Sequence, residues 1–331
     1  MIETYGYARA GFLGNPSDGY FGKTLAFAFS NFRARVLLYP SGRLEIKTSK
    51  ADLPVWENLD DLYQTTRWRG YYGGIRIIQA LIVRLFDYCR QQGIELPNRN
   101  FTLEYESTVP QRLGLGGSSA IITASLRALC EYYHLEIPLP IFANLVLETE
   151  TRELDVPAGL QDRVIQAYQG LVFMDFSKRL MENRGYGEYE RMDHKLLPNV
   201  YVAYRTSLSE GTEVFHNNLR ERWRRGDPDV LSAMETWAGY AQEGRACLLN
   251  RNHRRLCELL DANFDLRARI YQIDRGNLEM VHTARAAGAT ANFAGSGGAI
   301  VGIYDDDAMF ERLVEAMKPI GVAVIKPRIV F

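Results

Sequence analysis

The chain has 331 residues, of which 47% are hydrophobic and 24% are charged, a composition typical of a globular protein of about two domains. With 39 basic and 40 acidic side chains the net charge is close to zero, so nothing in it indicates a nucleic-acid or anionic-membrane partner. No apolar run of about 18 residues predicts a membrane span. The 4 cysteines are far apart, which predicts neither a disulfide framework nor a zinc site and favours a cytoplasmic protein with reduced thiols.

The first third of the chain predicts a strand, a hairpin, a helix and a further strand, in that order. Apolar residues at 5–13 predict a strand, and the polar residues 14–19 predict a loop after it. Residues 24–47 alternate around a Pro-Ser-Gly turn and predict a hairpin. Helical spacing predicts a helix over 74–92, and alternation predicts a strand over 101–109.

The rest of the chain is richer in predicted helices. We predict helices over 119–133, 138–153, 160–168, 211–225, 228–249, 253–273, 277–287 and 306–317, with strands over 171–175, 200–204, 299–304 and 322–330. Residues 178–198 are polar and irregular, which places a domain boundary near Pro198. Because strands and helices mix without a regular βαβ alternation, the predicted class is α+β, with domains at 1–198 and 199–331.

A glycine-rich loop lies between the strand predicted at 101–109 and the helix that follows. Its glycines let the backbone approach an anion closely, and the first N–H groups of the next helix point at that anion. Ser118 and Ser119 add hydroxyls, one of which could ligate Mg²⁺, and Arg112 adds a cation. An ordinary strand-to-helix connection is one alternative; a dinucleotide fingerprint is another, but Ser119 stands where that pattern needs its third glycine. The candidate phosphate-binding residues are Pro110, Arg112, Gly114, Leu115, Gly116, Gly117, Ser118, Ser119 and Ala120.

The N-terminal strand and loop also carry candidate residues. Arg9 lies in an apolar strand, where a buried arginine needs an anionic partner, although an edge-strand position is equally consistent with it. Asn15, Ser17 and Asp18 form a loop suited to sugar hydroxyls, and a plain turn is the alternative. The Gly-Lys-Thr at 22–24 is not a P-loop, because the earlier glycine is replaced by Ser17 and a strand pattern follows.

Five carboxylates lie within a short stretch, at Glu148, Glu150, Glu153, Asp155 and Asp162. Phosphoryl transfer needs a metal to neutralise the phosphates and a group that orients or deprotonates the attacking hydroxyl. Asp162 lies in an apolar-rich turn that enters a predicted helix. Solvated or capping carboxylates are the alternative, and spacing alone does not separate Glu150 from Glu148.

Three segments resemble the motifs of the GHMP small-molecule kinases, in the order of that family. Residues 8–18 resemble its substrate motif, residues 110–120 resemble its P-x3-G-L-G-[GS]-S-S-A phosphate motif, and residues 294–298 resemble its C-terminal glycine motif. The similarity is greatest to the glucuronokinase branch of the family. The blocks that carry it are 14–22, 71–74, 159–163, 174–178 and 295–298.

The resemblance implies a fold and a reaction. The fold would be the two-domain GHMP kinase fold, with a ribosomal-protein-S5-domain-2-like N-terminal domain, a ferredoxin-like C-terminal domain, and ATP and sugar bound in the cleft between them. The cofactors would be ATP and Mg²⁺, and the partner a small sugar acid, phosphorylated at its anomeric hydroxyl; D-glucuronate would give glucuronate 1-phosphate. Galacturonate, a heptose phosphate, an NAD-dependent oxidoreductase and a non-catalytic sugar sensor are the alternatives, and the oligomeric state is left open.

The resemblance also implies roles for individual residues. Ser119 and Glu150 would hold Mg²⁺, Asp162 would orient or deprotonate the sugar hydroxyl, and Arg9 would lie near the transferring phosphoryl group. An arginine should meet the uronate carboxylate, since a bidentate pair supplies both energy and orientation. The predicted substrate contacts are Asn15, Ser17, Asp18, Tyr20, Tyr72, Gly73, Gln161, Arg163, Arg205, Gly295, Ser296 and Gly297, with Arg205 and Arg163 as the candidates for the carboxylate.

Overall fold

The computed structural model describes residues 1–47, 73–206 and 214–331, with no side chains described for 214–218. Its strands are β1 (Ile2–Leu13), β2 (Lys23–Pro40), β3 (Glu45–Lys47), β4 (Phe101–Ser107), β5 (Leu171–Asp175), β6 (Glu188–Met192), β7 (Val200–Arg205), β8 (Asn292–Phe293), β9 (Ala299–Ile303) and β10 (Val322–Ile325). Its helices are α1 (Gly74–Gln91), α2 (Gly117–Tyr133), α3 (Leu139–Glu148), α4 (Leu160–Tyr168), α5 (Lys178–Arg184), α6 (Val214–Arg224), α7 (Pro228–Leu249), α8 (His253–Ile270), α9 (Arg275–Ala286) and α10 (Asp307–Met317). Strands and helices mix as the predicted α+β class requires.

The chain forms two compact units that are interleaved in sequence. The first unit contains Met1–Ala8, Phe32–Val109 and Gly116–Ala167, and the second unit contains Arg9–Asn31, Pro110–Leu115 and Tyr168–Phe331. The domain boundary near Pro198 stays a prediction.

The first unit combines a sheet with helices α1 to α4. The second half of β2 pairs antiparallel with β4, with Val36 opposite Tyr105. Helix α1 buries Ile77, Ile78 and Leu81 on one face, which confirms the helix predicted from their spacing.

The hairpin predicted over 24–47 is wrong. Strand β3 pairs parallel with β4, where Ile46 is opposite Leu103. The residues of β2 just before the turn, from Ala34 to Pro40, have β4 as their antiparallel partner, so the chain beyond the turn adds to β4. Alternation correctly predicted extended backbone here but not the partner strand.

The second unit contains a four-stranded antiparallel sheet in the order β10–β7–β9–β8. Its core includes Tyr201 and Ile300 from the sheet, Phe264 from α8, Met280 from α9 and Leu313 from α10. Separately, the first half of β2 pairs with β5, and β5 pairs with β6.

The segment 178–198 is not irregular as predicted, because it contains α5 and β6. Strand β6 lies at the end of its sheet, and only Met192 in it is buried. An edge strand of this kind is polar along most of its length, so its sequence lacks the apolar pattern of a buried strand. Among the described residues, none of the helices combines the length and the apolar character needed to cross a membrane.

Candidate functional site

The glycine loop runs from the end of β4 to the start of α2, as predicted. Gly114 and Gly116 have φ of 61° and 78°, in the left-handed region where glycine carries no steric penalty. Gly116 is the N-cap of α2 and, as a glycine, has no side chain that could cap the backbone N–H groups of the first turn. Those N–H groups and the helix dipole are what an anion needs at this position.

In the second unit, Arg9 joins the first part of the glycine loop to the C-terminal glycine run. Arg9 is only 4% exposed, and its backbone N–H donates to the Leu115 carbonyl oxygen at 3.2 Å. Its Nη1 donates to the carbonyl oxygens of Gly114 and Ala294, the latter at 2.9 Å. The structure therefore brings Arg9 to Gly114 and Leu115 of the motif predicted at 110–120 and to Ala294 of the motif predicted at 294–298.

The same two loops pack so closely that only glycine fits at the contact. A Cβ on Gly295 would lie 2.2 Å from the Gly114 carbonyl oxygen, and a Cβ on Gly114 would lie 2.8 Å from the Ser296 nitrogen. A Cβ on Gly298 would lie 2.9 Å from Leu113. Ligand contact by Gly295, Ser296 and Gly297 stays a prediction.

The predicted substrate loop follows β1 and is held in the second unit by helix α8. Asn263 of α8 accepts a hydrogen bond from the Gly14 N–H at 2.9 Å and donates to the Asn15 carbonyl oxygen at 3.3 Å. Ser17 is fully buried, and its hydroxyl donates to the Lys23 carbonyl oxygen at 3.0 Å. Asn263 was not among the residues predicted from sequence.

Tyr20 and Asp18 lie at the outer side of this loop and are half-buried. The ring of Tyr20 contacts the ring of Trp223, with centroids 5.5 Å apart. Burial raises the pKa of the Tyr20 phenol, and the positive charge of Arg220 opposes that shift. Tyr20 is therefore a neutral hydroxyl at neutral pH, suited to hydrogen bonding.

In the first unit, Glu150 is enclosed in a polar cluster. Helix α3 ends in a single π-helical turn, Thr149–Glu153, and π-turns of this kind recur at functional sites. Glu150 is 2% exposed; its Oε1 accepts a hydrogen bond from Ser118 Oγ at 2.8 Å. Its Oε2 accepts from Arg163, from Nε at 2.8 Å and also from Nη2.

The neighbouring acids Glu148 and Glu153 form ion pairs with a different arginine. Arg84 of α1 is buried and pairs with Glu148 at 3.4 Å and with Glu153 at 3.7 Å, so it holds both ends of the turn that carries Glu150. Glu148 also pairs with the exposed Arg152 at 3.1 Å. Sequence spacing left Glu148 and Glu150 as alternatives; in the structure, Glu150 is the acid that contacts Ser118.

The residues of this cluster fit a magnesium ion. Ligands on adjacent corners of an octahedral Mg²⁺ site with bonds of about 2.1 Å lie about 3 Å apart, and Ser118 Oγ and Glu150 Oε1 are 2.8 Å apart. Ser119, the serine predicted as a ligand, donates instead to the Gly116 carbonyl oxygen at 3.2 Å. The described side chains contain no group of three or more His, Cys, Asp or Glu residues suited to a metal.

Asp162 and Gln161 occupy the first turn of α4, beside this cluster. The Asp162 side chain is 20% exposed and accepts from Arg163 Nη1 at 3.3 Å, while Gln161 is buried. Arg163 thus lies between Glu150 and Asp162, and the structure brings together the predicted metal and base carboxylates. Gly73 is the N-cap of α1, and Tyr72 lies outside the described residues.

Two arginines of the second unit adjoin the C-terminal glycine run. Arg205, predicted from sequence, ends β7; its backbone N–H donates to the Gly298 carbonyl oxygen at 3.1 Å, and its guanidinium lies against Gly276. Arg267 of α8 was not predicted; it is 2% exposed, and its Nη1 donates to the Gly295 carbonyl oxygen at 3.1 Å.

This fold is similar to those of known small-molecule kinases. The crystal structure of Lactococcus lactis galactokinase complexed with galactose has a TM-score of 0.79 at 16% identity, over 99% of this chain and 93% of that chain. The Methanococcus jannaschii mevalonate kinase has a TM-score of 0.74 at 16% identity, over 100% of this chain and 98% of that chain. At such identities the similarity shows the fold alone, and it confirms the predicted two-domain α+β fold.

Sequence similarity then shows the family. Residues 79–170 match the model of the GHMP kinases N terminal domain. "Glucuronokinase 1" of Arabidopsis thaliana is 44% identical over 320 residues, which cover 95% of this chain and 88% of that protein. The chain belongs to the GHMP kinase family, as its three motif segments predicted.

Proposed function

We propose that this protein is an ATP-dependent sugar kinase that phosphorylates the anomeric hydroxyl of a uronic acid, converting D-glucuronate to glucuronate 1-phosphate. The substrate is supported by the 44% identity to the Arabidopsis glucuronokinase. The observation that carries the reaction is the buried Glu150 cluster with Ser118 at the start of α2 and with Arg163 and Asp162 at the start of α4. It combines hard oxygen donors for a metal with a partly exposed carboxylate.

Each of these residues has a role in the proposed transfer. The backbone N–H groups at the start of α2 receive nucleotide phosphates. Glu150, with Ser118 or the predicted Ser119, would hold Mg²⁺, which would neutralise charge on the nucleotide phosphates when bound. The salt bridge from Arg163 fixes Glu150 through Oε2 and leaves Oε1 directed at Ser118.

Asp162 orients the anomeric hydroxyl and takes its proton as that oxygen bonds to the γ-phosphorus. The bond from the γ-phosphorus to the β–γ bridging oxygen breaks, and ADP leaves. Arg9, which is bonded to the carbonyl oxygens of Gly114 and Ala294, supplies positive charge near the transferred group. General-base assistance of this kind contributes about 10²- to 10⁴-fold to the rate.

The test is ADP release by the purified chain with ATP and Mg²⁺, over D-glucuronate, D-galacturonate, D-glucose and no acceptor. We expect turnover to be highest with D-glucuronate and the product to carry an anomeric phosphate by ³¹P NMR. Asp162→Asn should retain the wild-type melting temperature and lose at least about 100-fold in kcat. ADP release with D-glucose but not with uronates would contradict the substrate class, and no ADP release with any sugar would contradict the kinase assignment.

A further inference from the structure

Arg267 is a buried cation whose charge the described part of the protein leaves unpaired. It is 2% exposed, and its guanidinium carbon lies 5.3 Å from the ring centroid of Tyr271 and 5.0 Å from that of Phe293. Among the residues whose side chains are described, no carboxylate forms an ion pair with it, and its hydrogen bond is to the neutral Gly295 carbonyl. Since burial of a charge is costly without an anion, this arrangement favours an anionic ligand.

The helix that carries Arg267 also holds the substrate loop. Asn263 and Arg267 are four residues apart in α8, on the same face of the helix. Asn263 is bonded to Gly14 and Asn15 at the start of that loop, so Arg267 lies one helical turn further along the same face. Burial lowers the pKa of the Arg267 guanidinium, while the nearby Asp18 of the loop and Tyr271 counteract that shift.

The loop that the Arg267 guanidinium contacts is the C-terminal glycine run at 294–298. Through Nη1, Arg267 holds the Gly295 carbonyl, and Gly295 itself packs on Gly114. A guanidinium has five N–H donors, so the one hydrogen bond that Arg267 makes within the described residues leaves donors for a planar, bidentate partner. Arg267 therefore adjoins both the substrate loop and a predicted ligand loop of the same unit.

Other arginines are less suited to a substrate carboxylate. Arg163 forms a buried ion pair with Glu150. If Arg163 turned to bind a substrate carboxylate, the Glu150 carboxylate would lose its cation. Arg9 is bonded to the carbonyl oxygens of Gly114 and Ala294. Arg205 is half-buried and packs against Gly276 at the start of α9.

We propose that the guanidinium of Arg267 receives the carboxylate of the uronic acid and so determines the selectivity for a sugar acid over a neutral sugar. This proposal rests on the proposed function, since it takes a uronate as the acceptor. A site built around a buried charge rejects an uncharged analogue strongly, because binding then leaves the charge unpaired.

The test compares D-glucuronate with D-glucuronamide, which has a neutral amide in place of the carboxylate. Wild type, Arg267→Met, Arg267→Lys and Arg269→Met are assayed by ADP release with both acceptors, and melting temperatures are recorded. Arg269 is an exposed residue of the same helix and serves as the matched control. For Arg267→Met we expect a fall of about 100-fold in kcat/KM for D-glucuronate, mainly through KM, with a nearly unchanged value for D-glucuronamide and for the KM of ATP.

The selectivity ratio of the two acceptors separates the possible results. The ratio is kcat/KM for D-glucuronate divided by kcat/KM for D-glucuronamide. If Arg267→Met keeps the wild-type ratio, or loses kcat/KM equally with both acceptors while its KM for ATP rises, Arg267 only supports Gly295 and the proposal is overturned. If Arg267→Met does not fold, Arg267→Lys is the deciding variant, because lysine keeps the charge but lacks the planar guanidinium. We expect the selectivity ratio of Arg267→Lys to fall about 10-fold. An unchanged ratio would overturn the proposal. Failure of the proposed function is distinct, because wild type itself would then release no ADP with D-glucuronate.

Discussion

Glu150→Gln should separate the structural role of the buried carboxylate from its role in catalysis. Glu150 and Arg163 are 2% and 6% exposed, and the substitution removes the Glu150 charge from the buried Arg163 cation, which keeps Asp162 at 3.3 Å. Breaking a buried pair by removing one charge costs about 3–5 kcal/mol. Because Asp162 compensates in part, we expect the low end, about 3 kcal/mol, which at about 2 °C per kcal/mol is a fall of about 6 °C in Tm.

A second substitution should restore stability without restoring activity. Arg163→Met in the Glu150→Gln background removes the partly compensated cation, and replacement of a whole buried pair by uncharged side chains is often neutral. We therefore expect the double variant to melt within about 3 °C of wild type. Its ADP release should stay at least about 100-fold below wild type, because the proposed metal ligand is still absent.

The matched control is Glu148→Gln, which tests the other glutamate that sequence spacing left open. Its side chain is 24% exposed and pairs with Arg84 and with the exposed Arg152, so activity and Mg²⁺ dependence should stay near wild type. The assays are thermal melts and ADP release over a Mg²⁺ titration. Normal Mg²⁺ dependence in Glu150→Gln, together with its loss in Glu148→Gln, would refute the metal assignment. A wild-type Tm for Glu150→Gln would refute the electrostatic argument.

Two further predictions concern the loops. Ser118→Ala should raise the Mg²⁺ concentration for half-maximal ADP release at least about 10-fold, and Ser119→Ala less than about 3-fold, because Ser118 is the serine bonded to Glu150. A larger effect of Ser119→Ala than of Ser118→Ala would support Ser119, the ligand predicted from sequence. Gly295→Ala should abolish ADP release and lower Tm, since its Cβ would lie 2.2 Å from a backbone oxygen, whereas Gly42→Ala, with no atom within 4 Å of its Cβ, should match wild type in both measurements.

Features specified by short stretches of sequence were predictable. The periodicity of α1 and the glycine pattern before α2 depend on residues within a few positions of one another, and both elements have nearly the predicted bounds. The pairing of β3 was not predictable, because its partner β4 lies more than 50 residues further along the chain. Strand β6 was missed since a polar edge strand lacks apolar alternation.

The candidate site shows the same limit at the level of single residues. Five acids in one stretch predicted a metal and base region, but the assignment within it depends on cations from other helices. Arg84 of α1 forms ion pairs with Glu148 and Glu153, and Arg163 of α4 forms an ion pair with Glu150. Distance along the chain contains no information about which acid meets which cation.

Arg267 illustrates why a specificity residue escapes a search for motifs. It lies in a helix rich in arginines, and its sequence surroundings differ little from those of Arg269, two residues further on. Two residues correspond to about 200° around a helix, so one side chain is buried against Gly295 while the other is exposed. That difference arises from the packing of α8 on the loop that begins at Gly14 and on the loop that contains Gly295. Substitutions at Arg267 and Arg269 can therefore be compared directly, because the two residues match in helix propensity and charge and differ in burial.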